Sequence, residues 1–135
     1  SLARGLYLAI PSFHTYSVGD VVVYQPPQEI AVLAEERGYI SQPDMPFLKK
    51  VGAIAADHYE IKPDLSFWVS SHYIGQVITQ DEEGRRMPYK IGQFFVPYGY
   101  LLPISPHPRS LDGRYYGSIP LSDVRAKVIP IFTID

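Results

Sequence analysis

"FLKKVGAIAADHYEI", residues 47–61, is the stretch on which the fold reading turns. Its apolar run reads as one long strand, with Gly52 as the place where it can bend. Along a strand successive side chains point to opposite faces, so Phe47, Lys49 and Val51 share one face while Leu48, Lys50 and Gly52 share the other. A lysine pair is ordinarily a solvated feature of a strand edge, where charge discourages aggregation. Here alternation sends the two lysines apart, and one of them can point inward. A lysine among apolar neighbours loses hydration, its charged form is disfavoured, and it becomes able to take up a proton. Such a lysine is a candidate general base.

The flanking sequence extends the β reading. "GLYLAI" (5–10) and "DVVVYQPP" (20–27) are strands separated by a Ser-Val-Gly-Asp turn, and Pro26-Pro27 ends the second. "QEIAVLAEERGYI" (28–40) is the one helix candidate, with Ile30, Leu33, Ala34 and Arg37 at helical spacing and Gly38 as a stop signal. Residues 41–46 form a loop. "FWVSSHYIGQVI" (67–78) reads as a further strand, and "TQDEEGRRMPYK" (79–90) as a charged turn in which Gly84 supplies the tight conformation. "QFFVPYGYLLPIS" (93–105) is a strand interrupted by Pro97, and "AKVIPIFTI" (126–134) closes the chain. The pattern predicts one mainly β, antiparallel, barrel-like domain with one short helix, spanning residues 1–135.

Composition narrows the function. The chain has 135 residues, and 12 Lys plus Arg against 14 Asp plus Glu give a formal charge of -2, with no basic block to follow a phosphate backbone. Nucleic acid is therefore not an expected partner. Without cysteine, thiol catalysis and thiolate metal sites are excluded. His14, His58, His72 and His107 have no ligand spacing, so neither a metal nor another cofactor is expected. Thirteen prolines break up long helices and eleven tyrosines favour strands.

Three segments carry reactive groups: Ser1 opening "SLARGLYLA", the Lys49-Lys50 pair, and "RSLDGRYYGSIP" (109–120) with Ser110, Asp112 and Arg114. Taken singly, the last is an Asp-Gly turn. Together with "VGDVVVYQPP", "ERGYI" and "DEEGRRMP", in this order over nearly the whole chain, they resemble the S26 signal peptidases, and most closely the TraF-type conjugative transfer peptidases. The resemblance implies a signal-peptidase-like fold and a serine endopeptidase with a Ser–Lys dyad. Its substrates would be exported precursors, the pilin subunit of a conjugative system above all, and transpeptidation could replace hydrolysis.

By the same resemblance Ser1 matches the nucleophile, Lys49 the catalytic lysine, and Asp112 the acidic residue of the last box. Ser110 matches the hydroxyl that bonds the lysine, with Arg114 beside Asp112. A carboxylate touching Lys49 would raise its pKa and oppose its role as a base, so Asp112 is expected to act by pairing with Arg114 or by orienting Ser110. Ala3 stands where relatives carry proline, and Ala56 and Gly113 depart from many signal peptidases. Relatives also carry a membrane anchor before the serine, so the chain is expected to be the soluble catalytic domain of an enzyme held at the outer, periplasmic face of the cytoplasmic membrane. Two other readings stand beside it: a hydrolase in which Ser1 uses its own α-amine, and a non-catalytic β domain that binds a pilus or secretion component by adding a strand at an edge. A triad through Asp57-His58 is disfavoured, since strand neighbours face opposite ways.

Overall fold

The computed structural model describes residues 4–11, 15–42 and 44–134. Among them the chain is mainly β and forms two antiparallel sheets. The larger is ordered β1 (Arg4–Pro11), β10 (Val124–Ile134), β2 (Val21–Tyr24), β3 (Phe47–Ile54), β8 (Tyr100–Ile104) and β9 (Ile119–Pro120). The smaller is ordered β6 (His72–Gln76), β5 (Ser66–Val69), β4 (His58–Ile61) and β7 (Gly92–Phe95). Helix α1 (Gln28–Glu36) is the short helix expected, and a single turn, α2 (Gly113–Tyr116), follows Asp112.

The stretch 47–61 is two strands in two sheets rather than one. Chain direction changes at residues 55–57, where Ala56 takes a left-handed conformation (φ 75°) and the Asp57 carboxylate accepts from Ile54 N at 2.9 Å. Gly52 does bend the chain, as a bulge: the pairing of β3 with β8 slips between Val51 and Ala53. A Cβ at Gly52 would lie 2.6 Å from Ile104 Cγ2, so the close approach of the two strands requires glycine there. The slip sends Val51 into the apolar cluster with Val22, Tyr24 and Leu101, and Ala53 into the other, with Phe67, Val69 and Leu102. β3 is also no edge strand, because β2 and β8 pair with it on either side.

Two further boundaries differ from expectation. The run 67–78 breaks into β5 and β6 at Ser70 and Ser71, both left-handed (φ 47° and 67°). α1 stops at Glu36, four residues early, because Gly38 (φ 74°) turns the chain and Tyr39 N donates back to the Ala34 carbonyl at 2.8 Å. Pro97 interrupts its strand as anticipated, separating β7 from β8, and Gly84 (φ 78°) forms the tip of a turn closed by a bridge between Gln80 and Arg86.

Candidate active site

Lys49 sits in the middle of the larger sheet, opposite Val22 of β2. Phe47 and Val51 on its face are buried, Lys49 is partly buried and Lys50 is exposed, so alternation resolves the pair as the facing rule requires. The Lys49 amine donates to Ser110 Oγ in a short hydrogen bond. Burial holds the lysine below its ordinary pKa; the Asp112 charge works against this and the Arg114 guanidinium adds to it.

Ser110 is placed by the buried turn behind it. Asp112 is fully buried and caps α2, accepting from Arg114 N at 3.0 Å and from Ser105 N at 2.8 Å. It also receives the Arg114 side chain through Nε at 2.9 Å and Nη2 at 3.1 Å. The remaining donors of Arg114 reach the Gln76 carbonyl and the Ser105 carbonyl, each at 2.9 Å, while its guanidinium lies 5.4 Å from the Phe67 ring centre. Each charge is therefore paired and hydrogen-bonded, as burial demands. Gly113 between them has no room for a side chain, since a Cβ would meet Leu102 Cδ1 and the Pro103 carbonyl, each at 2.6 Å. The hydrogen bonds described for Asp112 go to Ser105 and Arg114, not to Lys49.

A cleft of about 580 Å³ opens beside Lys49 and Ser110, with Phe47, Ile78, Leu111 and Tyr115 among its lining. Its far wall is the 79–90 turn, built around Asp81, whose carboxylate takes hydrogen bonds from Tyr39 OH (2.5 Å), Arg85 N (2.8 Å) and Arg85 Nε (2.8 Å). Arg37 joins from the end of α1, donating to the Arg86 carbonyl at 2.8 Å. "ERGYI" and "DEEGRRMP" were thus legible as segments but not as partners; nothing in one sequence shows that Arg37 and Tyr39 meet Asp81. Tyr24 and Tyr116 were missed outright. Tyr116 OH donates to the Leu111 carbonyl at 3.2 Å and bonds Tyr24 OH, bracing the backbone next to Ser110. Burial raises the pKa of both phenols.

Of the sequence-derived candidates, the structure brings Lys49 and Ser110 into contact and sets Asp112 and Arg114 directly behind them. Ser1 lies outside the described residues. The Asp57-His58 alternative finds no relay: His58 Nε2 is 3.5 Å from Ser71 Oγ, but the Asp57 carboxylate caps Ile54.

Comparison with known proteins bears on the family of the chain. A family model described as "Signal peptidase, peptidase S26" matches residues 1–133. The "Probable conjugal transfer protein TraF" of Sinorhizobium fredii (strain NBRC 101917 / NGR234) is 32% identical over 129 residues, 89% of this chain, and the chain spans 66% of that relative's length. The crystal structure of a signal peptidase I from Enterococcus faecalis V583 aligns with a TM-score of 0.49 at 12% identity, covering 86% of this chain and 98% of the other.

Proposed function

We propose that this chain, which belongs to the signal peptidase, peptidase S26 family, is a serine endopeptidase in which Ser1 is the nucleophile and Lys49 its general base, acting on exported precursor polypeptides. The observation that carries the reading is the state of Lys49: a partly buried amine, held below its ordinary pKa, oriented by Ser110 at the edge of a cleft. A neutral lysine accepts the serine proton as the hydroxyl oxygen attacks the scissile carbonyl, then returns it to the departing amine. The acyl group left on the serine passes to water, or to an amine of the substrate itself. Ser110 keeps the lone pair of Lys49 aimed by accepting one of its N–H bonds. Asp112 and Arg114 act one step back, fixing the turn that presents Ser110.

The likeness to a protein named for conjugal transfer supports a pilin precursor as the substrate, met at the outer face of the cytoplasmic membrane where an anchored enzyme would work. The test is mass spectrometry of such a precursor co-expressed with the full-length enzyme. Lys49→Ala should cost at least about 10³-fold in processing, the scale on which loss of a catalytic base acts, whereas Lys50→Ala should retain most of it. The sign of the pH dependence follows from Lys49: only the neutral amine works, so the rate rises with pH through its lowered pKa and then levels. A rate flat from about pH 6 to 10, when a free lysine titrates near 10.4, would argue against a lysine base. The mass of the product shows whether water or an amine took the acyl group.

A further inference from the structure

The Lys49–Ser110 contact joins two separate pieces of chain, strand β3 and the loop that runs into Asp112, and a second link joins the same two pieces through other side chains. On the strand side, Tyr24 of β2 stands opposite Phe47 of β3 just as Val22 stands opposite Lys49, and the Tyr24 and Phe47 rings meet edge to face with centres 6.0 Å apart. On the loop side, Tyr116 OH donates to the Leu111 carbonyl at 3.2 Å. The two hydroxyls bond each other at 2.5 Å, although their residues are 92 positions apart in sequence. With Asp112 held by its side chain and Leu111 by its carbonyl, the chain leaving Ser110 is fixed at two successive residues.

The protons give this link a direction. A carbonyl only accepts and a phenol has one proton, so Tyr116 gives its own to Leu111 and Tyr24 must donate to Tyr116. Removing the Tyr116 hydroxyl therefore breaks both bonds and leaves the hydroxyl of the fully buried Tyr24 without its acceptor. Removing the Tyr24 hydroxyl breaks one bond and leaves Leu111 held. Phe47 and Leu111 line the cleft, whereas the two phenols do not. We propose that Tyr24 and Tyr116 are positioning residues for the Lys49–Ser110 pair: the link between their hydroxyls fixes the loop against β3, so that Ser110 Oγ stays within reach of the lysine amine. The proposal rests on the Ser–Lys reading above.

Kinetics of precursor processing by the full-length enzyme, read beside urea denaturation, test it. Tyr116→Phe should lower kcat roughly three- to tenfold, the effect of one ordinary hydrogen bond, with KM kept because neither phenol lines the cleft. Tyr24→Phe should lower kcat by no more than about twofold, since the bond to Leu111 survives. The variant carrying both changes separates positioning from stability. It holds no orphaned hydroxyl, so its urea midpoint should recover part of what Tyr116→Phe loses, while its kcat stays as low as that of Tyr116→Phe. A kcat that recovers with the midpoint, or a raised KM at unchanged kcat, would overturn the proposal while Lys49→Ala stays inactive and the dyad stands. Where Tyr116→Phe is too unstable to assay, the double variant is compared with Tyr24→Phe: a lower kcat supports the link and equal values overturn it. If Lys49→Ala is active, the dyad reading fails instead, and the NMR resonance of Lys49 Cε decides about the link. A Lys49 resonance that moves in the double variant, while that of the exposed Lys50 does not, supports positioning; an unmoved Lys49 resonance overturns it.

Discussion

Two turns of this chain are assembled from the same parts and put to different use. In Asp112-Gly113-Arg114 and in Asp81-Glu82-Glu83-Gly84-Arg85, an aspartate receives backbone N–H groups and the Nε of an arginine that follows a glycine, at 2.9 Å and 2.8 Å respectively. They differ in their access to water. The side chains of Asp112 and Arg114 are 0% and 1% exposed, whereas Asp81 and Arg85 are 8% and 40% exposed. The sequence motif thus specifies a turn but not its energetic weight, which comes from what packs over it. Leu102 and Phe67 cover the first turn. The second stands at the side of the cleft, tied to the end of α1.

The contrast is broken most directly at Arg114. Arg114→Ala leaves the Asp112 charge in a dry site with its partner gone, and should cost roughly 3–5 kcal/mol of folding stability, as loss of one member of a buried pair does. Urea denaturation measures it; a loss below about 1 kcal/mol, the range of surface pairs, would mean that water reaches the turn after all. Processing should collapse with the fold, since Ser110 depends on that turn.

Asp81→Asn comes next, and its effect should be smaller because solvent can compensate Arg85. Desolvation works against the Asp81 carboxylate, but the hydrogen bonds from Tyr39 and from Arg85 outweigh it and hold its pKa well below the usual range. For a carboxyl depressed in the folded state, the stabilisation is complete above the unfolded value of about 4 and is lost as pH falls further. The midpoint of thermal unfolding should therefore separate wild type from Asp81→Asn at pH 7, and the gap should narrow below pH 4. A gap constant with pH would show that charge at Asp81 is not what holds the wall.

What could be read from the sequence follows the same division between local rules and packing. Strand alternation placed Lys49 with Phe47 and Val51, and Gly84, Pro97 and Gly38 gave three chain breaks, because each rule needs only neighbouring residues. Split strands escaped for a physical reason: the breaks at Ala56 and at Ser70-Ser71 use left-handed residues that are neither glycine nor asparagine, so turn chemistry left no signal. The site was legible as separate boxes through a family resemblance. Its assembly, with Ser105 and Gln76 carbonyls holding Arg114 and two tyrosines bracing Leu111, depends on contacts between distant segments. The Ser70-Ser71 turn gives a third case to set beside the two Asp–Arg turns, one in which Ser70 N donates to the His58 carbonyl at 2.9 Å and no Asp–Arg pair takes part. Replacing it by Asn-Gly should stabilise the protein by about 1 kcal/mol, the scale of strain that a Cβ adds in the left-handed region. No gain would mean that β5 and β6 pair strongly enough to absorb the strain.

The smallest effect is expected at the rim. Arg109 Nε and Glu82 Oε1 are 3.7 Å apart across the cleft, and their side chains are 54% and 75% exposed. A pair so open to solvent is screened by salt and repaid little for ordering two long side chains, so Glu82→Gln should change stability by less than about 0.5 kcal/mol. Yet the pair joins the wall turn to the residue before Ser110, so a contact of no structural weight could still control entry of a peptide. Comparing processing rates of Glu82→Gln and wild type at low and high salt separates the two roles. Equal rates at both salt concentrations leave the buried turn as the one the reaction depends on. A salt-sensitive rise in the variant would make the exposed turn a gate, and the division into a working turn and a supporting wall would have to be redrawn.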